Sequence, residues 1–135
     1  MARLRKKRGL SFDELGRRLN RHRPNVIAWE KGRAAPSPPK LVALAAVLEV
    51  DPSELTRISP ARAQLVDLRG WAGLTQAELA RRAGLPRPTY ALLERGGLAL
   101  RPEVVARLAE VLGRDVDEVE RAARRRQARR PRRGT

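Results

Sequence analysis

With no cysteine and one histidine in 135 residues, the chain cannot build a disulfide framework, a thiolate metal site or a histidine metal cluster. Thirty Lys and Arg against 15 Asp and Glu give a formal charge of +15, which selects polyanions as partners, nucleic acid first. A membrane is the rival surface, but no apolar run approaches the ~20 residues of a span and no basic amphipathic helix stands apart, so none is expected. Apolar residues make up 41% of the chain and aromatics only 3%, so any core must be built from Leu, Val and Ala. These recur at three- and four-residue intervals, which predicts an all-α fold without strands.

The opening Met1-Ala2-Arg3-Leu4-Arg5-Lys6-Lys7-Arg8 has charge but no apolar stretch behind it; this argues against a secretory signal and for a cytoplasmic, nucleoid-associated protein. A first helix is expected to end at Gly9. A second opens on the capping box Ser11-x-x-Glu14, in which hydroxyl and carboxylate satisfy reciprocal backbone donors, and ends at Leu19-Asn20. After a tight turn, a short third helix starts near Arg23-Pro24 and stops before Gly32. A fourth follows Ser37-Pro38 with Leu41, Leu44, Ala45 and Leu48 on one face. A last one begins at Asp51, carries Glu54 and buries Leu55.

The pattern then starts again. Adding 64 to the residue numbers lays the first part of the chain on the second without a gap: Leu4, Arg5, Leu10, Glu14, Leu15, Arg23, Pro24, Glu30 and Gly32 meet Leu68, Arg69, Leu74, Glu78, Leu79, Arg87, Pro88, Glu94 and Gly96. Ser59 and Pro60 are expected to cap and begin the second copy's first helix, which ends near Gly73. Thr75-x-x-Glu78, Ala83-Gly84, Arg87-Pro88, Arg101-Pro102 and Asp115 punctuate the rest as in the first copy, with Val105, Leu108, Ala109, Leu112 and Val119 as core. The expected organisation is a domain over residues 1–57, another over 58–123 and a disordered basic tail over 124–135, into which the second copy's last helix can run. The tail, Arg124-Arg125-Arg126-Gln127-Ala128-Arg129-Arg130-Pro131-Arg132-Arg133, has too little apolar content to fold and suits either phosphate contact or plain solvation.

Two short helices joined by a small turn, the second polar on its outer face, form a helix-turn-helix unit, whose second helix enters the major groove. The run Leu74-Thr75-Gln76-Ala77-Glu78-Leu79-Ala80, then Gly84-Leu85, then Leu93-Glu94-Arg95-Gly96, resembles the Cro/C1-type helix-turn-helix family of phage and bacterial repressors. Leu10-Ser11-Phe12-Asp13-Glu14-Leu15 and Trp29-Glu30-Lys31-Gly32 resemble the same motif. The resemblance covers nearly all of the chain but the tail, and implies two tandem five-helix bundles of the lambda-repressor-like type. It further implies that Gln76 binds phosphate and steadies the recognition helix, and that Arg5 with Glu30, and Arg69 with Glu94, bridge the first and third helices as structural ion pairs. The first copy departs from the pattern at Phe12, which has no hydrogen bond to give a phosphate and suggests looser docking there.

Removing the expected core positions Val26 and Trp29 from the third helix leaves His22, Arg23, Asn25 and Ala28 outward; in the second copy Pro86, Arg87, Thr89 and Leu92 take those places. An Arg at the N-terminal end of a recognition helix can chelate guanine O6 and N7; Asn25 suits adenine, and Thr89 and Leu92 suit a thymine methyl. The bland alternative for Arg23 and Arg87 is phosphate contact, since phosphate contacts outnumber base contacts. Arg17, Lys31, Arg33, Arg81 and Arg95 join Gln76 as phosphate candidates. His22 stands without a catalytic constellation, so a cap or a phosphate contact suits it better than catalysis. Trp29 and Trp71 are expected in the cores rather than stacked on bases. No catalytic residue, metal or cofactor is expected.

The resulting expectation is a non-enzymatic regulator of transcription, a repressor of bacterial or phage type, whose one chain supplies both halves of a pseudo-dimer on double-stranded DNA. In the alternative, only the first copy touches DNA and the second binds a protein through Pro86, Pro88, Leu92 and Leu98.

Overall fold

A computed structural model of the chain describes residues 1–20, 23–56 and 58–129, with the backbone alone for Arg23 and residues 126–129. Proline and glycine divide these residues into ten α-helices, and no strand occurs among them. The first repeat holds α1 (Ala2–Lys7), α2 (Phe12–Arg18), α3 (Arg23–Glu30), α4 (Pro38–Leu48) and α5 (Pro52–Thr56). The second holds α6 (Leu65–Trp71), α7 (Gln76–Arg82), α8 (Arg87–Glu94), α9 (Pro102–Leu112) and α10 (Val116–Arg129). Helices α2, α3 and α4 map onto α7, α8 and α9 residue for residue under the shift of 64, so the molecule is two tandem five-helix bundles.

The local causes are visible at the helix starts. In the second repeat the Glu78 backbone N–H donates to Thr75 Oγ1 at 3.1 Å while Glu78 Oε1 accepts from the Thr75 backbone N–H at 3.1 Å, the full reciprocal box. These bonds to Thr75 hold the Glu78 carboxyl below its ordinary pKa. The first repeat has only half of it: the Glu14 N–H donates to Ser11 Oγ, but Glu14 Oε1 accepts from the Ser11 hydroxyl at 3.0 Å instead of the backbone. The reciprocal box expected at Ser11 is corrected accordingly. Asp51 starts α5 by accepting from the backbone N–H and hydroxyl of Ser53, and those two bonds lower its carboxyl pKa.

Two further expectations change. Ser59 and Pro60 do not begin the second repeat's first helix: Pro60–Arg62 is a single 3₁₀ turn, and α6 begins after Gln64, whose backbone N–H donates to Asp67 Oδ2 at 2.8 Å. Residues 124–129 are not part of a disordered tail but continue α10, a helix of 14 residues against five in α5. Ala122 and Ala123 bury themselves in the second core, Arg124 Nη2 meets Glu120 Oε1 at 2.7 Å, and the Arg125 guanidinium donates to the Ala63 carbonyl, so this stretch gains contacts its composition does not advertise. Its counterpart in the first repeat runs into Pro60, which cannot donate to a helix. Residues 130–135 of the expected tail lie outside the described residues.

The first core is Leu10, Leu15, Leu19, Val26, Leu44 and Leu48, with Leu4, Phe12 and Trp29 packed against it. The second is larger and takes in Leu65, Leu68, Trp71, Leu79, Tyr90, Leu93, Val105, Leu108, Val119 and, from the first repeat, Leu41. Trp71 is thus a core residue, whereas Trp29 is half-buried at the core's edge. No buried side-chain nitrogen or oxygen lacks a hydrogen-bond partner among the described residues.

Candidate nucleic-acid interface

A recognition helix can read DNA only if its inner side is locked, because a base contact must be held to within a fraction of an ångström. In both repeats the helix before it ends on a left-handed residue, Asn20 at φ +56° and Gly84 at φ +71°, a conformation that stops a helix. A cation from the fourth helix then seals the end of the preceding one. Lys40 Nζ donates to the Leu19 carbonyl at 2.7 Å, and Arg107 Nη1 donates to the Ala83 carbonyl at 3.3 Å. Lys40 and Arg107 are not equivalent under the shift of 64, so the repeat gave no warning of this shared device.

The far end of each recognition helix is anchored through its last residue, a glutamate. Arg5 Nε donates to Glu30 Oε2 at 2.7 Å and its Nη1 donates to the Leu10 carbonyl at 2.8 Å; Arg69 repeats both bonds, to Glu94 Oε2 at 2.8 Å and to the Leu74 carbonyl at 3.0 Å. One guanidinium therefore ties the first helix, the start of the second and the end of the third. The implied ion pairs are present in both repeats.

Around this shared pair the repeats diverge. In the second, the Tyr90 hydroxyl donates to Glu94 Oε2 at 2.6 Å and Gln76 Nε2 donates to Glu94 Oε1 at 3.0 Å, with Arg69 Nη2 on the same oxygen at 3.1 Å. Burial alone would raise the Glu94 pKa, but hydrogen bonds from Arg69, Tyr90 and Gln76 outweigh it and hold the carboxyl below its ordinary value. Burial likewise opposes the Arg69 charge, yet the Glu94 carboxylate more than restores it and the pKa rises. Tyr90 is pushed far up, by burial first and then by the adjacent carboxylate, so its proton stays in place as a donor. In the first repeat Val26 replaces the tyrosine and Phe12 the glutamine, and the Arg5 guanidinium carbon stands 4.0 Å from the Phe12 ring centre. The aromatic face takes up the cation from the side where Gln76 sits in the other repeat.

The outward residues fall as follows. Arg87 is exposed at the start of α8, and Pro86 and Pro88 beside it restrict the backbone that carries it. Thr89 and Leu92 are half-buried on the same helix; Asn25 is exposed on α3 and Ala28 half-buried. Leu92 leans back onto the loop that follows, where a β-carbon at Gly97 would lie 2.7 Å from Leu92 Cδ1, so a side chain at 97 would displace the leucine. The first repeat holds the opposite pair, Ala28 and Arg33. His22 and the Arg23 side chain lie outside the described residues. Arg17, Arg81, Lys31, Arg33 and Arg95 are all exposed, and Gln76 is half-buried beside Glu94. Sequence alone missed the Tyr90 anchor and the Phe12 cation–π contact; the paired change of Phe12 to Gln76 and Val26 to Tyr90 between repeats was the available signal.

Among the described residues no group of three or more His, Asp or Glu side chains could hold a metal ion, and no helix is long and apolar enough to cross a membrane. A family model described as a helix-turn-helix domain matches residues 1–58 and again residues 61–122. No curated protein matches the chain.

Proposed function

From the membership of this chain in the helix-turn-helix domain family, a family of DNA-binding modules that it carries in two tandem copies, we propose that it is a transcriptional repressor holding two half-sites of one duplex with α3 and α8. The observation that carries this reading is α8: a short helix clamped at its inner end by the Arg69, Gln76 and Tyr90 bonds to Glu94, with Arg87 exposed at the outer end. An arginine so placed reaches guanine O6 and N7 in the major groove. Asn25, Ala28, Thr89 and Leu92 complete the reading surface, and Arg17, Arg81, Lys31, Arg33 and Arg95 neutralise flanking phosphates. Gln76 serves both ends of this description: one N–H of its half-buried amide steadies Glu94, and the second N–H is the donor a phosphate oxygen accepts. No catalytic step is assigned. The two reading faces share the Arg-Pro pair and differ elsewhere, so the operator is imperfectly symmetric, with a guanine in each half.

Selection from a random DNA pool, followed by footprinting at several salt concentrations, tests this. The expected result is a protected stretch of two half-sites centred about one helical turn apart, with steep salt dependence. One short protected patch would reject it and favour a second reading, in which the second repeat binds a protein. A groove of about 670 Å³ lined by Leu85, Pro88, Leu92, Leu98 and Val104 between α8 and α9 favours that second reading.

A further inference from the structure

The two bundles share a packed layer as well as a connector. Helix α4 of the first lies on α6 of the second: Leu41 is built into the second core, and Leu55 touches both cores. Gly73 lets the backbones approach, since a β-carbon there would lie 3.0 Å from Val42 Cγ2; one at Gly70 would meet Leu41 Cδ2 at 4.0 Å, an ordinary contact. Polar contacts edge the layer. The Trp71 indole N–H donates to Thr56 Oγ1 at 3.0 Å, the Arg114 guanidinium carbon stands 5.4 Å from the Trp71 ring centre, and Arg114 also attracts the Asp51 carboxylate of the first repeat.

We infer that this α4–α6 layer sets the separation and helical phase of α3 and α8 and so selects the spacing of the half-sites, with Val42 and Gly73 as its positioning residues; the inference rests on the two-half-site reading above. Modules on a free tether accept many spacings, because the second module only needs to be close to its site. Modules packed at interior density do not deform continuously, so they accept one spacing or must separate. Moving a half-site by half a helical turn, roughly 5 base pairs, carries it to the opposite face of the duplex, and a full turn displaces it by ~34 Å.

The full chain is to be titrated onto the selected operator, onto copies with half a turn or a full turn inserted between half-sites, and onto an isolated half-site. Wild-type protein is expected to lose about tenfold or more in affinity at both insertions, whereas a tethered pair would recover at the full turn. Val42 is half-buried at the layer and outside the first bundle's buried set, so Val42→Glu places a charge between the bundles. That variant is expected to bind the original operator more weakly, to flatten the response to spacing and to keep the wild-type affinity for one half-site; Val42→Ala is expected to keep the sharp response. A variant that merely unfolds would lose the isolated half-site too, and the wild-type spacing series then decides by itself. A two-site footprint with a flat wild-type response overturns the role of the layer alone. A single-site footprint overturns the two-half-site reading with it.

Discussion

The glutamates that end the two recognition helices sit at equivalent places and lead different lives. Glu94 accepts from an arginine, a tyrosine and a glutamine, so the second repeat locks its helix with a polar network, while Glu30 meets an arginine whose other face rests on a phenylalanine. One scaffold thus tolerates two solutions to the same requirement, that a buried carboxylate and guanidinium stay mutually satisfied. The network is directional and short-ranged; the aromatic contact is looser in geometry and supplies no hydrogen bond for either carboxylate oxygen.

Removing the acceptor separates the two solutions most. Glu94→Ala strands the buried Tyr90 hydroxyl and leaves Arg69 its Leu74 carbonyl but no aromatic face, and is expected to cost about 3–5 kcal/mol in urea unfolding. Glu30→Ala leaves Arg5 its Leu10 carbonyl and the Phe12 ring, and is expected to cost about 1.5–3 kcal/mol. Equal losses would erase the distinction.

The same site responds to pH. Because the folded Glu94 carboxyl binds its proton more weakly than the unfolded 4.5, the unfolded state takes up more protons in acid and stability rises with pH across that window. The contribution is complete above pH 4.5 and fades as pH falls through the lower folded value. Thermal melts between pH 2 and 7 should show this fading, and Glu94→Gln should shrink it; an unchanged acid limb would show that other carboxylates control it.

Next in size are the arginines proposed to read bases. Arg87→Ala and Arg23→Ala are each expected to cost about 1–3 kcal/mol on the selected operator and to relax preference at one base, by fluorescence anisotropy. If Arg87→Ala lowered affinity uniformly on all sequences, its contact would be with phosphate. Exchanging the divergent partners comes below that. Gln76→Phe should lose about 0.5–1.5 kcal/mol of stability with its hydrogen bond, and Phe12→Gln should change stability by under about 1 kcal/mol, one contact replacing another. The smallest effect belongs to the caps: Thr75→Ala is expected to cost about 1 kcal/mol and Ser11→Ala about half of that, since the second repeat closes the reciprocal box and the first does not.

Much of this was legible before any coordinates. The shift of 64 placed α2, α3, α4 and their counterparts, because capping residues, prolines and left-handed turn residues act locally and survive in both copies. The family resemblance, not the repeat, implied Arg5 with Glu30 and Arg69 with Glu94. What stayed hidden depended on neighbours distant in sequence. Pro60 could be taken as the start of a helix or as the end of the previous one, and only the packing of Ala122 and Ala123 shows how far the last helix runs when no proline stops it. An arginine-rich stretch such as 124–129 looks unfoldable by composition, yet Glu120 and the Ala63 carbonyl supply partners. Phe12 reads as a defect in a phosphate contact until the guanidinium beside it is seen.

The insertion of Leu41 into its neighbour's interior also governs how such a chain can be dissected. A fragment cut at the connector would carry Leu41, Val42 and Leu55 into water, and the remaining piece would lose Leu41 from its core. The two halves are therefore alike in pattern, yet each covers apolar surface of the other.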